Sequence, residues 1–102
     1  LVEGDRSVLA TVLNLFLQQT PERLEEIRRA LDAGDVGTLE RSAHVMAGAA
    51  VSLAMPRLRD ISHRIAIHSR RGELEQAAAL VAELGEAVGS GSAAARRAID
   101  VA

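Results

Sequence analysis

Three side chains in this sequence can act as nitrogen nucleophiles or metal ligands near neutral pH: His44, His63 and His68. There is no Cys, which excludes thiol catalysis, disulfides and cysteine metal sites. His63 and His68 are five residues apart, about 140° on a helix, so they do not share a metal easily. No H-E-x-x-H spacing occurs, and no metal site is expected. The acidic pairs Glu25-Glu26 and Glu83/Glu86 come with no arguable cleft and read as solvated helix faces. Arg28-Arg29, Arg70-Arg71 and the small tail cluster Arg96-Arg97 read the same way. His44 is different, because Gly48 stands one helical turn later. An imidazole keeps a nitrogen lone pair at neutral pH and can take and give a phosphoryl group as a covalent intermediate. Glycine inside a helix costs about 1 kcal/mol relative to Ala. Here it leaves the ring open to an incoming group; the plainer alternative is a glycine tolerated in an Ala-rich helix.

The elements that must position these residues are helices. The chain has 102 residues, 48% of them hydrophobic and 25% charged, which suits one domain with a modest core. Strong helix formers dominate and nothing alternates with period two, so no strands are expected. The spacing predicts a first helix over residues 5–19, capped by Asp5 or Ser7, with Leu9, Val12, Leu13 and Phe16 on one face. Thr20-Pro21 reads as the N-cap and first position of a second helix, 21–33, carrying Leu24, Ile27 and Leu31 and stopping at Gly34. The third helix, 36–54, has Leu39, Ala43, Met46, Ala50 and Leu53 at seam spacing. Met55-Pro56 precedes a fourth helix, 56–71, which Gly72 ends. A fifth covers 73–88, Gly89-Ser90-Gly91-Ser92 reads as a flexible joint, and residues 93–102 as a short terminal helix. Short connections imply an all-α fold: an antiparallel up-down-up-down four-helix bundle made by the second to fifth helices, with the first helix across one end. The whole chain is one domain with its core over residues 5–88.

On the third helix, His44 points about 140° from the seam centre, towards solvent. Glu40 and Arg41 lie one turn before it, and Ala47, Gly48 and Val51 follow it. Val51 and Met55 fall within about 20° of His44 on the helical wheel. With Ala47 they place apolar groups beside a reactive side chain, which marks a partner-docking surface unless the first helix or its linker covers them. Ile67, pointing away from the seam of the fourth helix, is a further rim candidate. A net charge of −2 argues against nucleic-acid binding. No apolar run approaches the roughly 20 residues that span a bilayer, and no direct membrane contact is expected. Neither a nucleotide-binding glycine loop nor an acidic Mg²⁺ cluster is found, so no cofactor is expected in this chain.

The segment Ala43-His44-Val45-Met46-Ala47-Gly48-Ala49-Ala50-Val51-Ser52-Leu53 resembles the signature of histidine-containing phosphotransfer (HPt) domains, roughly A-H-x-L-K-G-S-A-x-x-L-G. Phe16-Leu17 with Pro21-Glu22-Arg23-Leu24, Ala33-Gly34-Asp35, and Arg71-Gly72-Glu73-Leu74 extend the likeness over residues 8–88. The resemblance implies that His44 is the phosphoacceptor. It implies a fourth-helix hydrogen bond to the imidazole, for which His63, Arg64 and His68 are candidates and His68 is favoured. The family's usual Lys three residues after the histidine is Ala47 here, and Arg41 is expected to reach the phosphate instead. The implied function is a phosphocarrier, without a nucleotide site of its own, that accepts a phosphoryl group from a receiver-domain aspartate and passes it to another. Mg²⁺ would come with the response-regulator receiver. The alternative is a docking module that binds a receiver without carrying phosphate. A chemotaxis-kinase phosphoacceptor domain stays open, whereas Val45 after His44 speaks against the H-E/D-x-x-T/N-P pattern of a kinase dimerisation domain. With Leu1 first, the chain reads as a cytoplasmic, monomeric piece of a hybrid sensor histidine kinase, its partners being receivers and that parent kinase.

Overall fold

Three tight turns set the architecture, and all three are built alike. In the computed structural model, which describes residues 3–101 and side chains from Arg6 onward, four helices follow one another: α1 (Glu3–Ala33), α2 (Val36–Ser52), α3 (Pro56–Arg70) and α4 (Leu74–Val101). After α1, Gly34 N–H donates to Leu31 O at 3.1 Å and Asp35 N–H to Ala30 O at 2.9 Å. After α2, Ala54 N–H donates to Val51 O at 3.1 Å and Met55 N–H to Ala50 O at 2.9 Å. After α3, Gly72 N–H donates to Ser69 O at 3.0 Å and Glu73 N–H to His68 O at 2.9 Å. This paired bonding is the Schellman stop, which needs one left-handed residue. Gly34 (φ 68°) and Gly72 (φ 71°) supply it without steric cost, but after α2 the left-handed residue is Ala54 (φ 53°). Asp35 then caps α2, its carboxylate accepting from Thr38 N–H at 3.2 Å and from the Thr38 hydroxyl at 2.7 Å. These bonds hold the Asp35 carboxyl below its ordinary value, the Thr38 hydroxyl contributing most.

Cross-helix neighbours run in opposite order along adjoining helices. Arg28 of α1 lies beside Gly85 of α4, and Phe16 beside Gly91. Arg57 of α3 meets Glu86, while His68 meets Glu73 just before α4. The core between the helices is aliphatic: Ile27, Leu39, Met46, Ile65 and Leu84 are its largest fully buried apolar side chains. Small residues are buried on both α2 and α3, Ala43 and Ala50 on the first and Ser62, Ala66 and Ser69 on the second.

Two expected breaks are absent. Thr20-Pro21 does not separate two helices: α1 runs unbroken through Pro21, so no separate first helix lies across the bundle end. An interior Pro loses one backbone hydrogen bond and crowds the preceding turn, at about 3 kcal/mol. Burial of Leu13 and Phe16 before Pro21 and of Leu24 and Ile27 after it offsets that, since each large apolar side chain contributes about 1.5–3 kcal/mol. Gly89-Ser90-Gly91-Ser92 is likewise no joint but part of α4, which absorbs the expected terminal helix. Ser92 and Ala95 are buried, and a Cβ at Gly91 would stand 3.5 Å from both the Met55 sulfur and the Phe16 ring. Of the two expected caps for the first helix, Asp5 lies outside the described side chains and Ser7 is inside α1. At 1.5 Å per residue α1 is about 46 Å long and α2 about 25 Å. The ends of α1 and α4 therefore project beyond the α2–α3 pair, giving extents of 47 × 18 × 17 Å.

Candidate functional site

Helix α2 is fixed by its buried side, and that fixes its other side. Leu39, Ala43, Met46 and Ala50 are fully buried, so His44, one position on from Ala43, is left exposed on the outer surface. Gly48, one turn later, is exposed too, and a Cβ built there would meet nothing within 4 Å. The space above Gly48 is open, and no packing demand inside the protein calls for glycine at this position.

A neighbour from α3 completes the surroundings of the imidazole. The Arg70 guanidinium lies with Nη2 3.4 Å from His44 Nε2 and with Nε 2.9 Å from Glu40 Oε1. Arginine only donates hydrogen bonds, so in this contact the ring nitrogen can serve only as the acceptor. The contact is long for a hydrogen bond and holds the Nε2 lone pair loosely. Glu40 is on α2 one turn before His44, so the three side chains form a row across the α2–α3 seam: Glu40, Arg70, His44.

The other site candidates fall as follows. Arg41 is exposed and donates from Nη2 to the Thr38 hydroxyl at 3.2 Å, back towards the start of α2. His68 is not at the imidazole of His44: its Nδ1 lies 3.0 Å from Glu73 Oε1, in the turn that ends α3. His63 is exposed, and Arg64 pairs with Asp60 at 4.0 Å. Ala47 is buried at 9% exposure, whereas Val51 is 60% exposed. Helix α2 ends at Ser52, so Met55 does not continue its wheel; it is the residue before α3, half-buried, with Phe16 and Gly91 as neighbours. Ile67 is half-buried on α3. Ala50, Val51, Ala54, Met55, Pro56 and Arg59 line a shallow apolar groove at the α2–α3 turn. Val45, exposed beside His44, adds apolar surface that the wheel did not single out. Glu25 pairs with Arg28 at 2.7 Å, and Glu26 accepts a hydrogen bond from the buried Ser42, so the two carboxylates serve different helices. Among the described residues, no three His, Asp or Glu side chains cluster to hold a metal ion. Nor is any helix long and apolar enough to cross a membrane.

Arg70 and Glu40 are the residues that sequence spacing missed as a pair. Arg70 reads as a solvated charge, because the register between α2 and α3 is not written in either helix. The complementary charges of Glu40 and Arg70 on neighbouring helices were the one available signal.

An exposed imidazole on a helix, with open space one turn on, can take a phosphoryl group from an incoming partner. The sequence model of the Hpt domain matches residues 11–95, most of the chain. This chain belongs to the Hpt domain family. No curated protein and no solved structure gives a significant match. Hpt domains act in two-component signalling as histidine phosphocarriers that meet receiver domains and histidine kinases, and they have no catalytic site of their own. The Hpt assignment covers all of α2 and α3 and most of α1 and α4.

Proposed function

We propose that this Hpt domain, an antiparallel bundle of four helices, relays a phosphoryl group between receiver domains through Nε2 of His44. The observation that carries this is the exposed His44 imidazole with clear space above Gly48. In the forward step the Nε2 lone pair attacks the phosphorus of a receiver's aspartyl phosphate. The Nε2–P bond forms as the P–O bond breaks, and the aspartate leaves as a carboxylate. The Nδ1 proton stays on the ring, so no base is needed. The reverse step, with a second receiver, returns the phosphoryl group to an aspartate. The receiver, with the Mg²⁺ it carries, offsets the charge of the transferring group, while this chain contributes position and an in-line nitrogen. The docking surface on this reading is the apolar ground around the histidine: Val45, Val51 and the groove at Met55 and Pro56, with Ile67 at the rim.

The test is transfer from receiver domains charged with radiolabelled acetyl phosphate. The expected result is acid-labile, base-stable label on the wild-type chain and none on His44→Gln. A chain that binds charged receivers yet takes no label, while another Hpt domain is labelled alongside, overturns the relay. That outcome leaves a docking module, for which the absence of a cation at Ala47 is the motive.

A further inference from the structure

We propose that Arg70 is the cation that holds the phosphoryl group on His44, and that Glu40 is the positioning residue that keeps it in place and moderates its charge. This rests on His44 being the phosphoacceptor. It adds an assignment from geometry that the sequence motif does not contain.

Position 47 is a buried Ala, so α2 offers no cation one turn after the histidine. Arg41, the nearest Arg on α2, directs its guanidinium to Thr38. Among the described residues, Arg70 alone brings a guanidinium to the nucleophilic nitrogen, and it comes from the neighbouring helix. Its Nε and Nη2 lie on one edge of the planar fork, the first held by Glu40 and the second facing Nε2. Among the described residues, Nη1 makes no hydrogen bond. A phosphoryl group bonded to Nε2 puts its oxygens where Nη2 now points. The long contact to the lone pair is then exchanged for charge-assisted hydrogen bonds to those oxygens. Glu40 has two opposing effects. It orients the guanidinium at 2.9 Å, and it places a negative charge near the incoming dianion. The pair is partly exposed, with Arg70 62% and Glu40 28% accessible, so the guanidinium can turn towards phosphate at little cost.

The test needs no partner protein. Phosphoramidate transfers its phosphoryl group to an imidazole nitrogen with loss of ammonia, and His44→Gln identifies the His44 signal in the ³¹P spectrum. Titrating that signal gives the pH at which the phosphorylated imidazole, through its free ring nitrogen, takes up a proton. With Arg70→Ala the midpoint moves to higher pH by about 0.5, because a nearby cation disfavours the protonated form. Arg70→Lys restores most of the shift. Glu40→Gln moves the midpoint the other way, to lower pH, by a smaller amount. A residue that only braced the fold would shift both variants alike or shift neither, and amide spectra check that each variant is folded. An unmoved midpoint in Arg70→Ala overturns the assignment, as does a shift in Arg41→Ala in its place. If His44 takes no phosphoryl group from phosphoramidate, this inference falls as well. A wild-type chain labelled by phosphoramidate but never by charged receivers defeats the relay reading and leaves the Arg70 titration as a separate result.

Discussion

A methyl group at Gly48 has room, since nothing lies within 4 Å of where it would stand. Helix propensity then predicts that Gly48→Ala stabilises the domain by about 1 kcal/mol. If the clearance serves a docking receiver, the same change slows phosphoryl transfer to His44. A raised urea midpoint together with a lowered transfer rate is the expected pair of results; unchanged transfer would return Gly48 to an ordinary surface position. Ser62 offers a second single-residue test. It is fully buried on α3, and among the described residues its hydroxyl has no hydrogen-bond partner. An unpaired buried hydroxyl costs about 1–3 kcal/mol, so Ser62→Ala is expected to stabilise by about 1 kcal/mol, with the urea slope unchanged. At this scale the sequence was informative about His44 and gave Arg70 only as one charge among many. The exposure of His44 follows from where the apolar residues of its own helix fall. The approach of Arg70 depends on how α3 slides along α2, and small residues such as Ala43 and Ser62, which let the helices close, carry no register of their own.

The turns make the sharpest statements about elements. Ala54 takes the left-handed conformation that Gly34 and Gly72 take in the equivalent places. Ala54→Gly should therefore raise stability by about 1 kcal/mol, seen as a higher midpoint in thermal unfolding; a lower one would mean that chain entropy outweighs the relieved strain. Asp35 gives a pH dependence. Its carboxyl is held below the ordinary value by Thr38, so its contribution is present above about pH 4 and is lost as pH falls through the lowered folded value. Asp35→Asn keeps an acceptor for the cap and removes the titration. The variant should lose less stability than wild type between pH 5 and pH 2, measured by helical circular dichroism. Gly34 and Gly72 were legible as stops because nothing overrode them. Thr20-Pro21 carries an equally good start signal, and there packing won: Leu13 and Phe16 lie on one side of it and Leu24 and Ile27 on the other, all buried, so the helix gains more by continuing than by breaking. The glycines near Ser92 misled for a related reason. A flexible composition marks a linker only when no neighbour presses on it, and Phe16 and Met55 press on Gly91.

For the molecule as a whole, α1 and α4 outrun their shorter partners. The first turns of α1 are exposed at Val8, Leu9 and Val12, whereas Leu39, Met46, Ile65 and Leu84 are fully buried and Ala98 and Ile99 near the end of α4 still pack on the core. Amide exchange should therefore be slowest around those four residues and fastest over residues 6–12; uniform protection along α1 would contradict this gradient. Elongation also has a hydrodynamic consequence. A body of 47 × 18 × 17 Å spins about its long axis faster than it turns end over end. Amide bonds in α1, which runs nearly the full length, point along that axis and feel only the slow reorientation. Their ¹⁵N transverse relaxation will exceed what a sphere of 10.8 kDa would give. A globular partner seated against the flank at His44 would make the assembly rounder, so the spread of relaxation rates among amide directions would narrow even as the mean tumbling slows.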